Sequence, residues 1–475
     1  MDRVKQSLSN LFKEWRGEEP QKIESLPAHG SYRNYYRIFT VDFTAIGAHN
    51  TDKAENIAFL SFSRHFLKAG LPVPQIYSES LDQNIYLEED LGDITLFSFL
   101  SEVREKEGFS EKIIGVYEKV VELLPQFQIV ASRDFDYSIC YPRHSFDKQS
   151  MMWDLNYFKY YFLKLAKISF DEQKLEDDFQ NFSDYLLAAD RNFFLYRDFQ
   201  SRNVMLIDQH PFFIDYQGGR KGALQYDVAS LLYDAKANIP QDIRNHLLDK
   251  YIATANKIIA IDHERFLDYY YGYVYIRLMQ ALGAYGFRGF YERKTHFLKS
   301  VPYAIQNLEH LLNTINLPVS LPALTDAWSQ LVQSTYLRQL GDANLKLTVR
   351  IQSFSYKRGI PWDEKGHGGG FVMDCRALPN PGRYPEYADV NGNDKEVIDF
   401  LKSKSEVNSF LKNVYRIIDQ TIVNYQKRNF TDLLVAFGCT GGQHRSVFCA
   451  NAIHDYLKNK YDINVEVRHR ELEMK

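Results

Sequence analysis

Cysteine is scarce in this chain: Cys140, Cys375, Cys439 and Cys449 are the four in 475 residues, and none forms a C-x-x-C pair. That excludes a disulfide-stapled scaffold and a paired-cysteine zinc site, and it predicts reduced thiols in a cytoplasmic protein. No stretch approaches the roughly 18 apolar residues of a membrane span, so no membrane partner is expected. The opening Met1-Asp2-Arg3-Val4-Lys5-Gln6 is mixed in charge and does not read as a signal peptide. An excess of one charge is missing too: 57 basic and 61 acidic residues leave −4, which argues against a broad nucleic-acid surface. A Walker-type G-x-x-x-x-G-K-[ST] is absent. So is any internal repeat of roughly 20–50 residues. What is abundant is aromatic: 33 Tyr and 33 Phe, read as core packing.

Periodicity divides the chain. Leu8, Leu11, Phe12 and Trp15 have helical spacing within residues 1–16. Residues 23–48 turn strand-like, Asn50-Thr51-Asp52 caps a helix to Lys68, and residues 84–89 form another strand. Residues 110–190 and 226–313 are mostly helical. Leu317-Pro318-Val319-Ser320-Leu321-Pro322 is the best linker, followed by a bridging helix over 324–340. From Leu345 onward, strands at 345–351, 371–375, 433–437 and 465–468 alternate with helices at 394–402, 405–427 and 443–459, which predicts an α/β sheet.

Two motifs carry chemistry. The first is Tyr196-Arg197-Asp198-Phe199-Gln200-Ser201-Arg202-Asn203, followed by Phe212-Phe213-Ile214-Asp215. Phosphoryl transfer needs a carboxylate at the acceptor hydroxyl and oxygen ligands for Mg²⁺. Asp198 suits the first task, Asn203 and Asp215 the second. D-x-x-x-x-N alone is a weak signal, and polar turn residues at strand ends are the plain alternative.

With these residues in view, positions 20–315 resemble the aminoglycoside phosphotransferase family, nearest to its branch of N-acetylmuramate and N-acetylglucosamine anomeric kinases. The resemblance implies an α+β bilobal protein-kinase-like fold, with a small lobe at about 20–90, a large lobe at about 91–316, and ATP between them. It makes Asp198 catalytic, makes Asn203 and Asp215 the Mg²⁺ ligands, and makes Asp227 a structural support for the catalytic loop. It places the phosphates under Gly30, Ser31, Arg33 and Arg37, and adenine by the hinge at Glu88 and Asp90. Glu55 falls where kinases carry the glutamate that pairs with a strand lysine. The expected strand, residues 43–48, contains no lysine. Arg33 or Arg37 is the candidate replacement, an exposed strand arginine the alternative. The departure keeps open a second reading, a pseudokinase adapter that binds ligands without catalysis and acts on an RNA or protein partner.

The second motif is Gly438-Cys439-Thr440-Gly441-Gly442-Gln443-His444-Arg445-Ser446, between an apolar strand and a helix. Glycines turn N–H groups inward, the helix N-terminus favours an anion, and an arginine can pair with phosphate. Formally it is also C-x5-R-[ST], the loop of cysteine phosphatases, but no acid loop with a suitably placed Asp is evident. Together with Ser353-Phe354-Ser355-Tyr356-Lys357-Arg358-Gly359-Ile360-Pro361, Asp374-Cys375-Arg376-Ala377-Leu378-Pro379-Asn380-Pro381 and Arg468-His469-Arg470-Glu471-Leu472-Glu473, it makes residues 345–475 resemble the RapZ C-terminal domain family. That resemblance implies a glucosamine-6-phosphate sensor. Thr440, Gly441, Gly442, His444 and Arg445 would hold the phosphate in the Cys439 loop, and Asp374 would meet the amino-sugar end. Residues 451–475 carry five basic and five acidic residues, which gives RNA binding little support.

The expectation is a kinase-like domain over 1–316, a linker and bridging helix over 317–344, and a phosphosugar-binding domain over 345–475. Its ligands are ATP, Mg²⁺, a sugar acceptor and a phosphorylated amino sugar. The sequence leaves homo-oligomers open.

Overall fold

The computed structural model describes residues 3–27, 33–340, 347–361, 370–427, 430 and 432–473. Gly30, Ser31 and the segment 362–369 lie outside the described residues. Two units are separated, residues 1–341 and 342–475.

The first unit opens with α1 (Arg3–Arg16) and an antiparallel sheet of β1 (Lys22–Ser25), β2 (Asn34–Phe39), β3 (Thr44–His49), β4 (Ile76–Ser80) and β5 (Ile85–Glu89), in the order β1-β2-β3-β5-β4. Alternation sorts the two faces. Tyr36, Ile38, Ala45, Ile85 and Leu87 pack on Leu8, Leu11 and Phe12 of α1. Gly47 allows that approach, since a Cβ there would lie 2.8 Å from Leu8 Cδ2. The opposite face, with Ala48 and Tyr86, meets α2 (Lys53–Lys68), whose N-cap Asp52 accepts from Glu55 N–H as the sequence predicts. Strand β4 was not expected. It is a half-buried edge strand with no alternation for a pattern to reveal.

The large lobe comprises α3 (Leu96–Glu107), α4 (Glu111–Pro125), α5 (Lys148–Phe158), α6 (Glu172–Leu187), α7 (Gln225–Leu232), α8 (Gln241–Asn256), α9 (His263–Gly286), α10 (Val301–Thr314), α11 (Pro322–Gln333) and α12 (Thr335–Gln339). Two short ribbons pair β6 (Phe193–Leu195) with β9 (Arg220–Gly222), and β7 (Val204–Ile207) with β8 (His210–Phe213). The expected bridging helix is two helices. Ser334 leaves helical geometry and caps α12 by accepting from Leu337 N–H. Trp328 of α11 is buried, stacked on Tyr275 of α9 at 4.3 Å, so this segment packs into the helical lobe.

The second unit is a parallel sheet, β11-β12-β10-β13, of β10 (Thr348–Ser355), β11 (Phe371–Asp374), β12 (Asp432–Cys439) and β13 (Asn464–His469), with α13 (Lys395–Lys402), α14 (Ser405–Lys427) and α15 (Arg445–Lys460). The central strands β10 and β12 are buried almost throughout, which is why β12 reads as a continuous apolar run. Parallel pairing brings the ends of β10, β11 and β12 to one edge, where Asp374 lies in register with Gly438 and Ser355 with Cys439.

Candidate functional site

In the first unit, Asp227 ties the segment Tyr196-Arg197-Asp198 to the helical lobe. Its fully buried carboxylate accepts from Tyr196 N–H at 2.8 Å, Arg197 N–H at 3.0 Å and Gln128 Nε2 at 2.9 Å. Burial pushes its pKa up to about 7 against those three donors. Arg197 sits in the left-handed region, φ 84°, and is held there by a two-pronged pair with Asp154 and a bond to Tyr226 Oη. The next residue, Asp198, is half-buried, and its carboxylate accepts no hydrogen bond from the described residues. It stands beside Gly218, where a Cβ would come 3.9 Å from Oδ2.

Asn203 joins the two halves of the motif. Its Nδ2 donates to Asp198 O at 2.8 Å and to Asp215 Oδ2 at 2.8 Å. Asp215, at φ 68°, also accepts from Gln217 Nε2 at 2.7 Å. Desolvation, with the negative charge of Asp198, pushes Asp215 up to about 6. These side chains converge as the spacing predicts. An oxygen-donor pair of this kind fits a hard divalent cation that completes its shell with water and phosphate. No group of three or more His, Cys, Asp or Glu able to cage a metal occurs among the described residues.

The small lobe revises the arginine expectations. Arg33 is buried, not an exposed strand residue, and its Nη2 pairs with Glu55 Oε1 at 3.0 Å. Glu55 Oε2 accepts from Asn50 Nδ2 at 3.0 Å. The glutamate of α2 therefore has a cationic partner on β2's approach instead of on β3. Arg37 is taken up by two carboxylates after β5, pairing with Asp90 at 2.8 Å and Asp93 at 2.8 Å. Asp90 is committed to Arg37 and to Gly92 N–H, so its side chain is not turned to a nucleotide. Glu88, on the inner face of β5, is buried with Oε2 unpartnered, and burial pushes its pKa up to about 8 despite Arg33. Strand pleating decides this, because Glu88 shares a face with Ile46 and Arg37.

A pH dependence follows. Glu88 is raised in the folded state, so the native chain keeps a proton that the unfolded chain releases above the ordinary carboxylate range. Wild-type stability should therefore fall relative to Glu88→Gln as pH rises from about 4.3 to 8, then level off. Urea melts of both proteins at pH 5 and pH 8 check this; a gap that does not widen rejects it.

In the second unit the loop after β12 is held from below. Ser355 Oγ donates to Thr440 O at 2.7 Å, and Cys439 Sγ lies buried 3.2 Å from Ser446 Oγ. Asp374 is at the same edge, paired with Arg376 at 2.7 Å. Two phosphate assignments are narrowed. His444 Nε2 meets Tyr387 O at 2.9 Å, and Arg445 is buried with Nη1 donating to Arg376 O and Leu378 O. Buried carbonyls need donors, and these side chains supply them. Arg445 Nε, by contrast, is buried without a hydrogen-bond partner among the described residues. Thr440 and Gly441 remain open, with nothing within 4 Å of a Cβ on Gly441. Gly442 is constrained: φ is 70°, and a Cβ would lie 2.3 Å from Glu471 Cγ and 2.9 Å from Ser355 N. Gly442→Ala should therefore destabilise this unit by about 2 kcal/mol or more, while Gly441→Ala changes little. Urea midpoints of the two variants should differ clearly; equal midpoints would reject the steric argument.

Sequence reasoning did not find Asp154, Gln128 or Gln217. Asp154 is on α5, remote in sequence from the motif, and no local pattern marks it.

Comparison with known proteins gives two matches along the chain. Residues 33–268 match the phosphotransferase enzyme family, and residues 347–473 the RapZ C-terminal domain. The chain is 33% identical over 180 residues to a nucleotide-binding protein of Hahella chejuensis, covering 38% of this chain and 60% of that protein. It is 38% identical over 144 residues to the RNase adapter protein RapZ of Hamiltonella defensa, covering 30% of this chain and 49% of that protein. It thus spans about half the length of these curated relatives. Among solved structures, choline kinase LicA from Streptococcus pneumoniae aligns at TM-score 0.44 with 14% identity, over 65% of this chain and 100% of that one. A choline kinase from Cryptosporidium parvum aligns at 0.46 with 11% identity, over 69% and 99%. No described helix is long and apolar enough to cross a membrane. With both units already on the page, the chain is thus similar over residues 33–268 to the phosphotransferase enzyme family and over residues 347–473 to the RapZ C-terminal domain.

Proposed function

We propose that the first unit is an ATP-dependent kinase for an amino sugar, acting in the cytoplasm, and that the second binds a phosphorylated amino sugar. The observation that carries the kinase reading is the Asn203 bridge, which holds Asp215 and the Asp198 backbone together while leaving the Asp198 carboxylate free. Asp198 would accept a hydrogen bond from the acceptor hydroxyl and take its proton as phosphorus is attacked. Asn203 and Asp215 would hold Mg²⁺, which neutralises charge on the β- and γ-phosphates when bound. Arg33, fixed by Glu55, would supply the cation that the β3 strand lacks.

The second reading, a pseudokinase adapter acting on RNA or a protein, rests on that missing strand lysine. The Arg33–Glu55 pair weakens it, because the cation is relocated instead of lost. For the second unit, support comes from the open turn at Thr440 and Gly441 beside the α15 N-terminus. Incubation with Mg·ATP and a panel of amino sugars, with mass detection of the phosphosugar, tests the kinase reading. Nucleotide binding without turnover on any sugar would favour the adapter.

A further inference from the structure

At the start of β6 the helical lobe holds a cavity of about 760 Å³. Its wall is built from the turn before β6, from Lys221 of β9, from the entry to α7 and from the turn into α9. Asp198, Asn203 and Asp215 are not among its lining residues. The ribbon's register explains this. Phe193 pairs with Gly222 and Leu195 with Arg220; the cavity touches the Phe193 end, and the D-x-x-x-x-N motif continues from the Leu195 end. The volume falls within the range of roughly 300–1,000 Å³ that small organic ligands occupy.

The lining selects the class of occupant. Arg191, Lys221 and Arg265 line the cavity, and none of them pairs with a carboxylate among the described residues. Arg191 Nε donates to Leu187 O at 3.1 Å, which leaves its charge unmet. The lining carboxylates are turned to main-chain donors instead. Asp190 accepts from Asn192 N–H at 3.1 Å, and Asp262 caps α9 by accepting from Arg265 N–H at 3.1 Å. Leu224, the N-cap of α7, is also in the wall and provides no side-chain cap, so the positive end of that helix adds to the cations. Phe193, Phe266 and Tyr269 give the cavity an aromatic surface. A bare inorganic anion would leave that surface uncovered, and a neutral ring would leave the cations unmet.

The same wall reaches the segment before Asp198. Leu224 O accepts from Gln128 Nε2 at 3.1 Å, and that nitrogen also donates to Asp227 Oδ2 at 2.9 Å. Asp227 in turn holds the N–H groups of Tyr196 and Arg197. A molecule packed on Leu224 therefore bears on the hydrogen bonds that fix the neighbours of Asp198.

We propose that this cavity is a regulatory binding site for a small organic anion with an aromatic body, separate from the cleft that would hold ATP and the acceptor. The anionic group meets Arg191 and Arg265, the ring lies on Phe193, Phe266 and Tyr269, and occupancy tightens the Asp227 brace. The site stands apart from the kinase reading, since it needs neither ATP nor turnover.

Calorimetry on the full chain tests it, with naphthalene sulfonate as the anionic probe and naphthalenemethanol as its neutral counterpart. The sulfonate should bind at least about tenfold more tightly than the alcohol. Saturating Mg·ATP should leave its affinity unchanged. Arg191→Gln combined with Arg265→Gln should weaken it by about ten- to a hundredfold. Ala260 is an exposed lining residue, so Ala260→Trp should fill the space and abolish binding without shifting the urea midpoint. Amide hydrogen exchange at Tyr196 and Arg197 should slow in the saturated wild type. Sulfonate affinity that is absent, is matched by the alcohol, is lost to Mg·ATP, or survives either the paired arginine substitutions or Ala260→Trp would overturn the site. Unchanged exchange at Tyr196 and Arg197 would overturn its regulatory part.

Discussion

Asp198→Asn is expected to lower kcat for sugar phosphorylation by about 10²–10⁴-fold and to leave Mg·ATP affinity nearly unchanged. The reasoning is geometric. The Asp198 main chain is fixed by Asn203, and its neighbour Arg197 is fixed by Asp227 and Asp154, so the substitution leaves the loop's supports in place. Asparagine is isosteric but cannot take a proton from the hydroxyl. Steady-state turnover and nucleotide calorimetry on the same preparation separate the two effects. Retained turnover would make Asp198 a turn residue, and lost nucleotide affinity would move it to the metal side.

Arg33→Met is expected to lower kcat/KM by about 10²–10³-fold, the usual cost of removing one preorganised donor from a transferring group. Arg33 is buried against the faces of Phe59 and Tyr86, with its guanidinium 5.2 Å from the Phe59 ring centre. Glu55 holds it from α2, and its charge favours the ionised form of Asp215. Methionine keeps the packing volume and removes the charge. It also strands Glu55 without its cation, so a loss of stability accompanies the loss of activity. Arg33→Lys separates these: it restores charge without the planar fork, and activity should recover in part. Full activity in a destabilised Arg33→Met protein would make the pair purely structural.

Legibility in the sequence follows the range of the forces involved. The helix α1, the cap at Asp52 and the strands β10 to β13 were readable, because amphipathic spacing and capping act over a few residues. The convergence of Asn203 with Asp215 was readable for the same reason: twelve residues separate them across one hairpin. Strand β9 was not expected, since three residues carry no period and the strand exists only because β6 offers it a partner. Ser334, a helix-compatible residue within an apolar pattern, divides what periodicity presents as one helix.

The sequence by itself determined the two kinds of unit, the D-x-x-x-x-N motif with Asp198, Asn203 and Asp215, and the glycine turn after β12. Only the tertiary structure decided which charges are paired. Arg33 meets Glu55 across 22 residues and Arg197 meets Asp154 across 43, while Arg37 crosses 53 to reach Asp90. It turned Glu88 inward, gave main-chain carbonyls to His444 Nε2 and Arg445 Nη1, and left Arg220 without a carboxylate among the described residues. The physical reason is that backbone propensity is local, whereas the partner of a buried charge is set by whichever distant segment the core brings against it. Desolvation then makes that choice costly to leave unmet.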